Sequence, residues 1–446
     1  MLDNAKEINQ RDYKKFKESF DKERVNKILQ NAANKNKLST LAFVGTSKVG
    51  NYDNFSIDIK TLPATAQKQS GRCWIFAATN VLREVVANKL NLADFELSQN
   101  YVAFYDKLEK VNYMLESVID LLDKKKDDRT LQHVVMWGVG DGGQWDMFKS
   151  LVKKYGLVPK NVMDETASSS GTNESNFVIN RLIRKFSAKA YKLHQEGKDN
   201  QISKLKDEVL NQAYKILSIA FGTPVEEFDF EYVDKDGVYH LDRGLNPKKF
   251  YQKYIGLNLD DYVSVINAPT EDKPYYQTFT VDYIGNVIGG NPICYLNLPQ
   301  EELKELVVKQ LKAGEVVWFG SDCGKYGQRD EGFWAPEQYD YNSLFNIDLE
   351  MDKADMLDFR EAAMNHAMVI TGVNLVDDKP TKWKIENSWG KDIAHAGYFT
   401  ATDLWFDNFV FQAVVNVKYL NEKQQKALAK KPKHLNPWDP MGTLAD

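Results

Sequence analysis

Cysteine is scarce in this chain: three residues, Cys73, Cys294 and Cys323, among 446. An odd and sparse set builds no disulfide framework, and without a CxxC pair it builds no thiolate zinc site. Long apolar runs are missing too. No uninterrupted stretch of about 18 apolar residues exists, so no membrane span is expected. The start, MLDNAKEINQRDYKKFKESF, has no apolar core of a secretory signal. Positive charge is not in excess either. The net charge is −5, which argues against a nucleic-acid binder. The basic stretch with Arg181, Arg184, Lys185 and Lys189 reads as a solvated helix face. Reduced thiols without signal or span favour the cytoplasm. Hydrophobic content of 43% and charged content of 27% are ordinary for a globular protein.

Helical spacing dominates the first half and strand-like runs the second. Residues 1–62 read as amphipathic helix followed by extended chain. Residues 63–165 hold helices, beginning with SGRCWIFAATNVLREVV, in which Trp74, Ala78, Val81, Leu82 and Val85 recur at helical spacing. A polar linker, TASSSGTNES, opens a helical section over 166–225. Residues 226–420 are rich in Val, Ile, Tyr, Phe and Trp, as an antiparallel sheet or barrel requires. Residues 421–446 form a final arm. Helices first and strands later indicate an α+β fold rather than a parallel βαβ array.

Cys73 falls in the first turn of its helix, where free N–H groups and the helix dipole favour a thiolate. A lone buried cysteine is usually inert, so position alone is weak. Gln67 lies six residues upstream, and its amide could join the Cys73 N–H in holding an oxyanion, with Gln69 as a competitor. Such a nucleophile needs a base and a group to orient it. Of six histidines, His366 opens the strand-like HAMVITGV, while Asn387 closes WKIEN. Their midpoint falls at the turn signal Asp377-Asp378-Lys379-Pro380. A hairpin there would set the two face to face across the ladder.

QKQSGRCW, NHAMVITG and ENSWG, in that order, resemble the papain superfamily. More closely, they resemble the bleomycin hydrolase and aminopeptidase C family of intracellular cysteine peptidases. LSQNY, DGGQWDM, the Gly397-Tyr398-Phe399 run and the ending PWDPMGTLAD extend the likeness over nearly the whole chain. Ser70 and Arg72 depart from the secreted papain signature. Almost three hundred residues separate Cys73 from His366, against roughly 130–150 in secreted enzymes.

The resemblance implies a papain-like fold: a helical half, an antiparallel β-barrel half and large helical insertions. It implies Cys73 as nucleophile, His366 as base, Asn387 as the orienting residue and Gln67 as oxyanion donor. Trp389 would cover the His–Asn bond. It further implies peptide substrates, a homohexamer, and no metal or other cofactor. The arm would lie in the cleft, with Ala445 and Asp446 binding the substrate amine. Relatives commonly end in Leu-Ala, whereas Asp446 follows Ala445 here. The expected activity is removal of N-terminal residues; oligopeptide endopeptidase action and an inactive scaffold are the alternatives. A transglutaminase-like enzyme fits less well, because such enzymes more often orient histidine with Asp.

Overall fold

The computed structural model describes residue 2, residues 5–47 and residues 53–445. It divides into two units, one made of residues 1–52 with 336–350, the other of 53–335 with 351–446. In the first, helices Gln10–Lys22 and Arg24–Ala33 carry the amphipathic pattern, and Asn9 closes a capping box with Asp12. The stretch expected to be extended begins instead with a short helix, Leu38–Ala42. Within this unit Phe43 bridges to Tyr339, and their rings meet edge to face.

The second unit holds the Cys73, His366 and Asn387 motifs. Helix Cys73–Leu90 is apolar nearly all round over its first two turns, where Trp74, Ile75, Phe76, Ala77 and Ala78 are buried. Such a helix forms only inside a core. It ends at Asn91, whose left-handed φ of 53° lets its N–H close on the Ala87 carbonyl. Helix Gln99–Asp120 packs beside it, and helices Asn173–Gln195 and Ile202–Phe221 pack against each other and on Gln99–Asp120.

Strands join in a 12-stranded sheet, and its centre matters most for the site. Strand His366–Val376 lies between Val317–Ser321 and Lys379–Glu386, antiparallel to both. All five residues of Val317–Ser321 are buried, so both faces are covered there. Helix Cys73–Leu90 and helix Gln300–Lys312 both pack on this centre. The turn between the His366 and Lys379 strands has Asp377 and Asp378 at φ 50° and 59°. Two consecutive left-handed residues suit the twist of a tight hairpin.

The expected antiparallel barrel is not formed. The sheet path runs open from Lys433–Leu435 to Gly327–Gln328, and these edge strands have only three and two residues. Edges so short offer too few N–H and C=O groups to close a ring. Three pairings are parallel rather than antiparallel: Lys433–Leu435 on Gln277–Val281, Tyr262–Ile266 on Tyr295–Asn297, and Phe333–Trp334 on Tyr398–Thr402.

Candidate active site

The turn before Cys73 is held by buried polar side chains. Ser70 Oγ donates to the Gln67 carbonyl at 2.7 Å and accepts from Arg72 Nε at 2.9 Å. The buried Arg72 guanidinium forms a two-pronged pair with Glu165, at 3.1 and 2.8 Å. Gly71 N–H donates to Asp141 at 2.8 Å. A Cβ on Gly71 would sit 2.9 Å from that of Asp141, so only glycine fits. Burial raises the Asp141 carboxyl, but the Lys107 ammonium at 2.5 Å, with bonds from Thr172 and Asn176, outweighs it and holds the acid well below its usual range.

Cys73 is the first residue of its helix and is 4% exposed. Its Sγ accepts the Ala367 N–H at 3.4 Å, which sets the sulfur against the strand that His366 begins. His366 Nε2 bonds Asn387 Oδ1 at 2.8 Å, and the same oxygen accepts the Ser388 N–H at 2.8 Å. An oxygen already taking an N–H fixes the tautomer: Nε2 carries the proton and Nδ1 stays free. The Trp389 ring stacks on the imidazole at 5.2 Å between centroids and shields it.

His366 and Asn387 thus meet, but not in the expected register. The ladder ends at Val369 opposite Glu386, and a bulge intervenes between Ile370 and Gly372. Continuing that pairing sets Asn387 two positions away from facing His366. His366 instead pairs with Ser321 on its other side. The side chains bridge a diagonal, which lies within their reach.

Burial pushes the Cys73 thiol up to about 11, against the opposing pull of the Ala367 and Trp74 N–H groups. Burial likewise pushes His366 down to about 4, against its Asn387 bond. The helix tip was expected to favour the thiolate; burial works against that charge at Cys73 and against the imidazolium at His366.

Gln67 is buried at the seam between the helix turn and the Asn387 strand end. Its backbone N–H donates to Ser388 O at 2.8 Å, and its Oε1 accepts from Ser388 Oγ at 2.6 Å. Its Nε2 spends one hydrogen on Ser70 O at 2.6 Å and keeps the second. Gln69 is exposed and donates its N–H to Ser170 O.

The arm is docked, not frayed. Arg129 lies 3.7 Å above the Trp438 ring, and Arg360 donates to the Trp438 carbonyl. Asp439 pairs with buried Lys273 at 3.0 Å. The chain then coils through Pro440–Ala445 instead of staying extended. Thr443 Oγ1 donates to Met364 O, and Leu444 O accepts the Gly143 N–H at 2.9 Å. Thr443 and Leu444 line a cleft of about 640 Å³ together with Gly71, Cys73, Gly142 and Asp322. Ala445 is buried; Asp446 lies outside the described residues.

A buried ion pair and a buried carboxylate escaped the sequence reading. Arg83 and Glu386 form a buried ion pair at 2.7 Å, and Asn80 also donates to Glu386. This joins the Cys73 helix to the residue preceding Asn387. Burial outweighs Arg83 and pushes the Glu386 carboxyl up to about 7. Asp141 stood inside the quoted DGGQWDM motif, which named no role for it. Among the described residues no group of three or more His, Cys, Asp or Glu side chains could hold a metal ion. No described helix is long and apolar enough to cross a membrane.

A thiol on a buried helix tip, set against a strand that presents an amide-tethered imidazole, is the arrangement of a papain-like cysteine peptidase. The chain belongs to the Peptidase C1-like family, whose model matches residues 7–442. It is 45% identical to Aminopeptidase C of Lactobacillus delbrueckii subsp. lactis over 445 residues, 99% of each chain. It is 44% identical to Aminopeptidase C of Streptococcus thermophilus, over 94% of each. The crystal structure of PepW from Lactobacillus rhamnosis matches with a TM-score of 0.96 and 47% identity, covering 98% of this chain and 99% of that one.

Proposed function

We propose that this chain is a cytoplasmic cysteine aminopeptidase that removes N-terminal residues from peptides through an acyl-enzyme. Cys73 gives its proton to His366 Nδ1 and attacks the scissile carbonyl carbon. The Cys73 N–H and the remaining Gln67 Nε2 hydrogen stabilise the oxyanion. The C–N bond breaks as His366 returns the proton to the departing amine. Water, deprotonated by His366, then hydrolyses the thioester and frees the thiol. Asn387 keeps the imidazole aligned throughout, and Trp389 keeps water from their bond.

The observation that carries the exopeptidase reading is the bond from Gly143 N–H to Leu444 O in the cleft that also holds Cys73. The arm takes up the amine side of that cleft, leaving room for one residue before the scissile bond. Ala445 and Asp446, the last residues of the arm, bind the substrate's free amine on this reading. The helical pair 173–221 is suited to subunit contacts, in keeping with a homohexamer.

The test compares a peptide with its N-acetylated twin, using Cys73→Ser as the inactive control. Cleavage of the free amine alone is expected. Removing residues 443–446 should admit the acetylated peptide. Equal cleavage of both by the intact chain would refute amine capture and favour the endopeptidase alternative.

A further inference from the structure

The geometry points to a carboxylate-holding subsite beside Trp389, where Arg329 and Lys68 select peptides bearing a negative charge on the first residue of the leaving part. This rests on the aminopeptidase reading above. A hollow of about 500 Å³ opens there, lined among others by Lys68, Gln69, Ser170, Arg329 and Trp389. Its lining holds two cations and no carboxylate. Neither cation enters an ion pair among the described residues.

Its side of the cleft follows from Trp389. That ring stacks on His366, the group that hands a proton to the departing nitrogen. The arm residues Thr443 and Leu444 line the other opening, the one containing Cys73 and Gly142. A peptide whose amine end lies along the arm therefore passes its leaving part toward Trp389.

Arg329 is held by its side chain and Lys68 by its backbone. The Arg329 guanidinium carbon is 5.0 Å above the Trp389 ring, a cation–π contact that keeps it over the hollow. Lys68 has a left-handed φ of 54°, which a non-glycine residue sustains only when its surroundings dictate it. Those surroundings are explicit. Gln67 is tied to Ser70 and Ser388, and Gln69 is bridged to Gly171 with its N–H on Ser170 O. A carboxylate entering between these two charges finds both uncommitted.

Two carboxylates satisfy this chemistry: the free α-carboxylate of a dipeptide and an acidic side chain at the first leaving position. Two substrate pairs separate them: Leu-Ala against its C-terminal amide, and Leu-Asp-amide against Leu-Asn-amide. Solvent-exposed ion pairs are weak, so the two cations together should favour the charged member by about three- to tenfold in kcat/KM at low salt. That preference should shrink in 1 M salt, where the Debye length falls to about 3 Å. In the double variant Arg329→Gln, Lys68→Gln the ratio should fall to near one, and Arg329→Lys should keep most of it. A ratio of one or less in the intact chain, or a ratio unchanged by the double variant, overturns the subsite. Failure of the aminopeptidase reading would look different: no turnover of any free-amine substrate, the neutral amides included.

Discussion

Replacing Asn387 by alanine tests the logic of the site most directly. The variant removes the only side-chain acceptor of His366 Nε2 among the described residues and leaves the Trp389 stack untouched. In the ground state that bond joins two neutral groups. Once His366 takes the thiol proton, the same 2.8 Å bond becomes charge-assisted, and such bonds contribute about 1.5–3 kcal/mol. A neutral bond is worth about 0.5–1.5 kcal/mol, so the gain on protonation is about 1–1.5 kcal/mol, and at 1.36 kcal/mol per decade kcat/KM should fall about 5- to 13-fold. The loss should appear in kcat, because the interaction strengthens only as charge develops. Asn387 Nδ2 has no partner among the described residues, but removing Oδ1 leaves both the His366 Nε2–H and the Ser388 N–H without their acceptor. Stability should therefore fall by about 1–3 kcal/mol. The assay is steady-state hydrolysis of an aminoacyl amide, read beside the thermal midpoint. A loss below about threefold, or one confined to KM, would show that Asn387 does not hold the base.

Two further outcomes follow from burial. Removing residues 443–446 exposes the Cys73 cleft, so the thiol should drop from about 11 toward its ordinary 9.0. The thiolate fraction at neutral pH then rises by up to about a hundredfold, measured as the iodoacetamide alkylation rate against pH; an unchanged midpoint would show that the arm does not desolvate the sulfur. At Glu386 the folded carboxyl lies near 7, above its ordinary 4.5, so the fold binds its proton more tightly than the unfolded chain. Its contribution is full below about pH 4.5 and is lost as pH rises through about 7. The gap between 4.5 and about 7 amounts to about 3 kcal/mol, which Glu386→Gln should abolish in denaturant titrations across that window. Arg83→Met, by contrast, strands the carboxylate and should cost about 3–5 kcal/mol at pH 8.

The sequence made the Cys73 helix readable because its apolar spacing and the motif at its start agree. It also paired His366 with Asn387, since the hairpin midpoint fell on a genuine turn at Asp377-Asp378. The exact facing failed because the turn centres between Asp377 and Asp378, one residue beyond the counted midpoint, with Val376 opposite Lys379; the register shifts near Asn374 and Ile370 cancel each other. The barrel expectation failed for a related reason. Strand content can be read locally, whereas closure depends on how long the edge strands are and which neighbours they find. Arg83 and Glu386 were invisible because they are 303 residues apart and each looks like an ordinary surface charge in its own segment. The three motifs announced the family; they did not reveal how deeply Cys73 is buried, which opposes the pull of its helix tip.

The contact between Cys73 Sγ and the Ala367 N–H spans 294 residues. A ribosome adding about 5–20 residues per second needs roughly 15–60 s to travel that distance. Throughout that interval the thiol has been synthesised, but its base has not. On the proposed mechanism the emerging chain is incapable of hydrolysis while it and its neighbours are still unfolded and vulnerable to cleavage. Competence arrives only near the end of translation, when most of the molecule already exists to be folded.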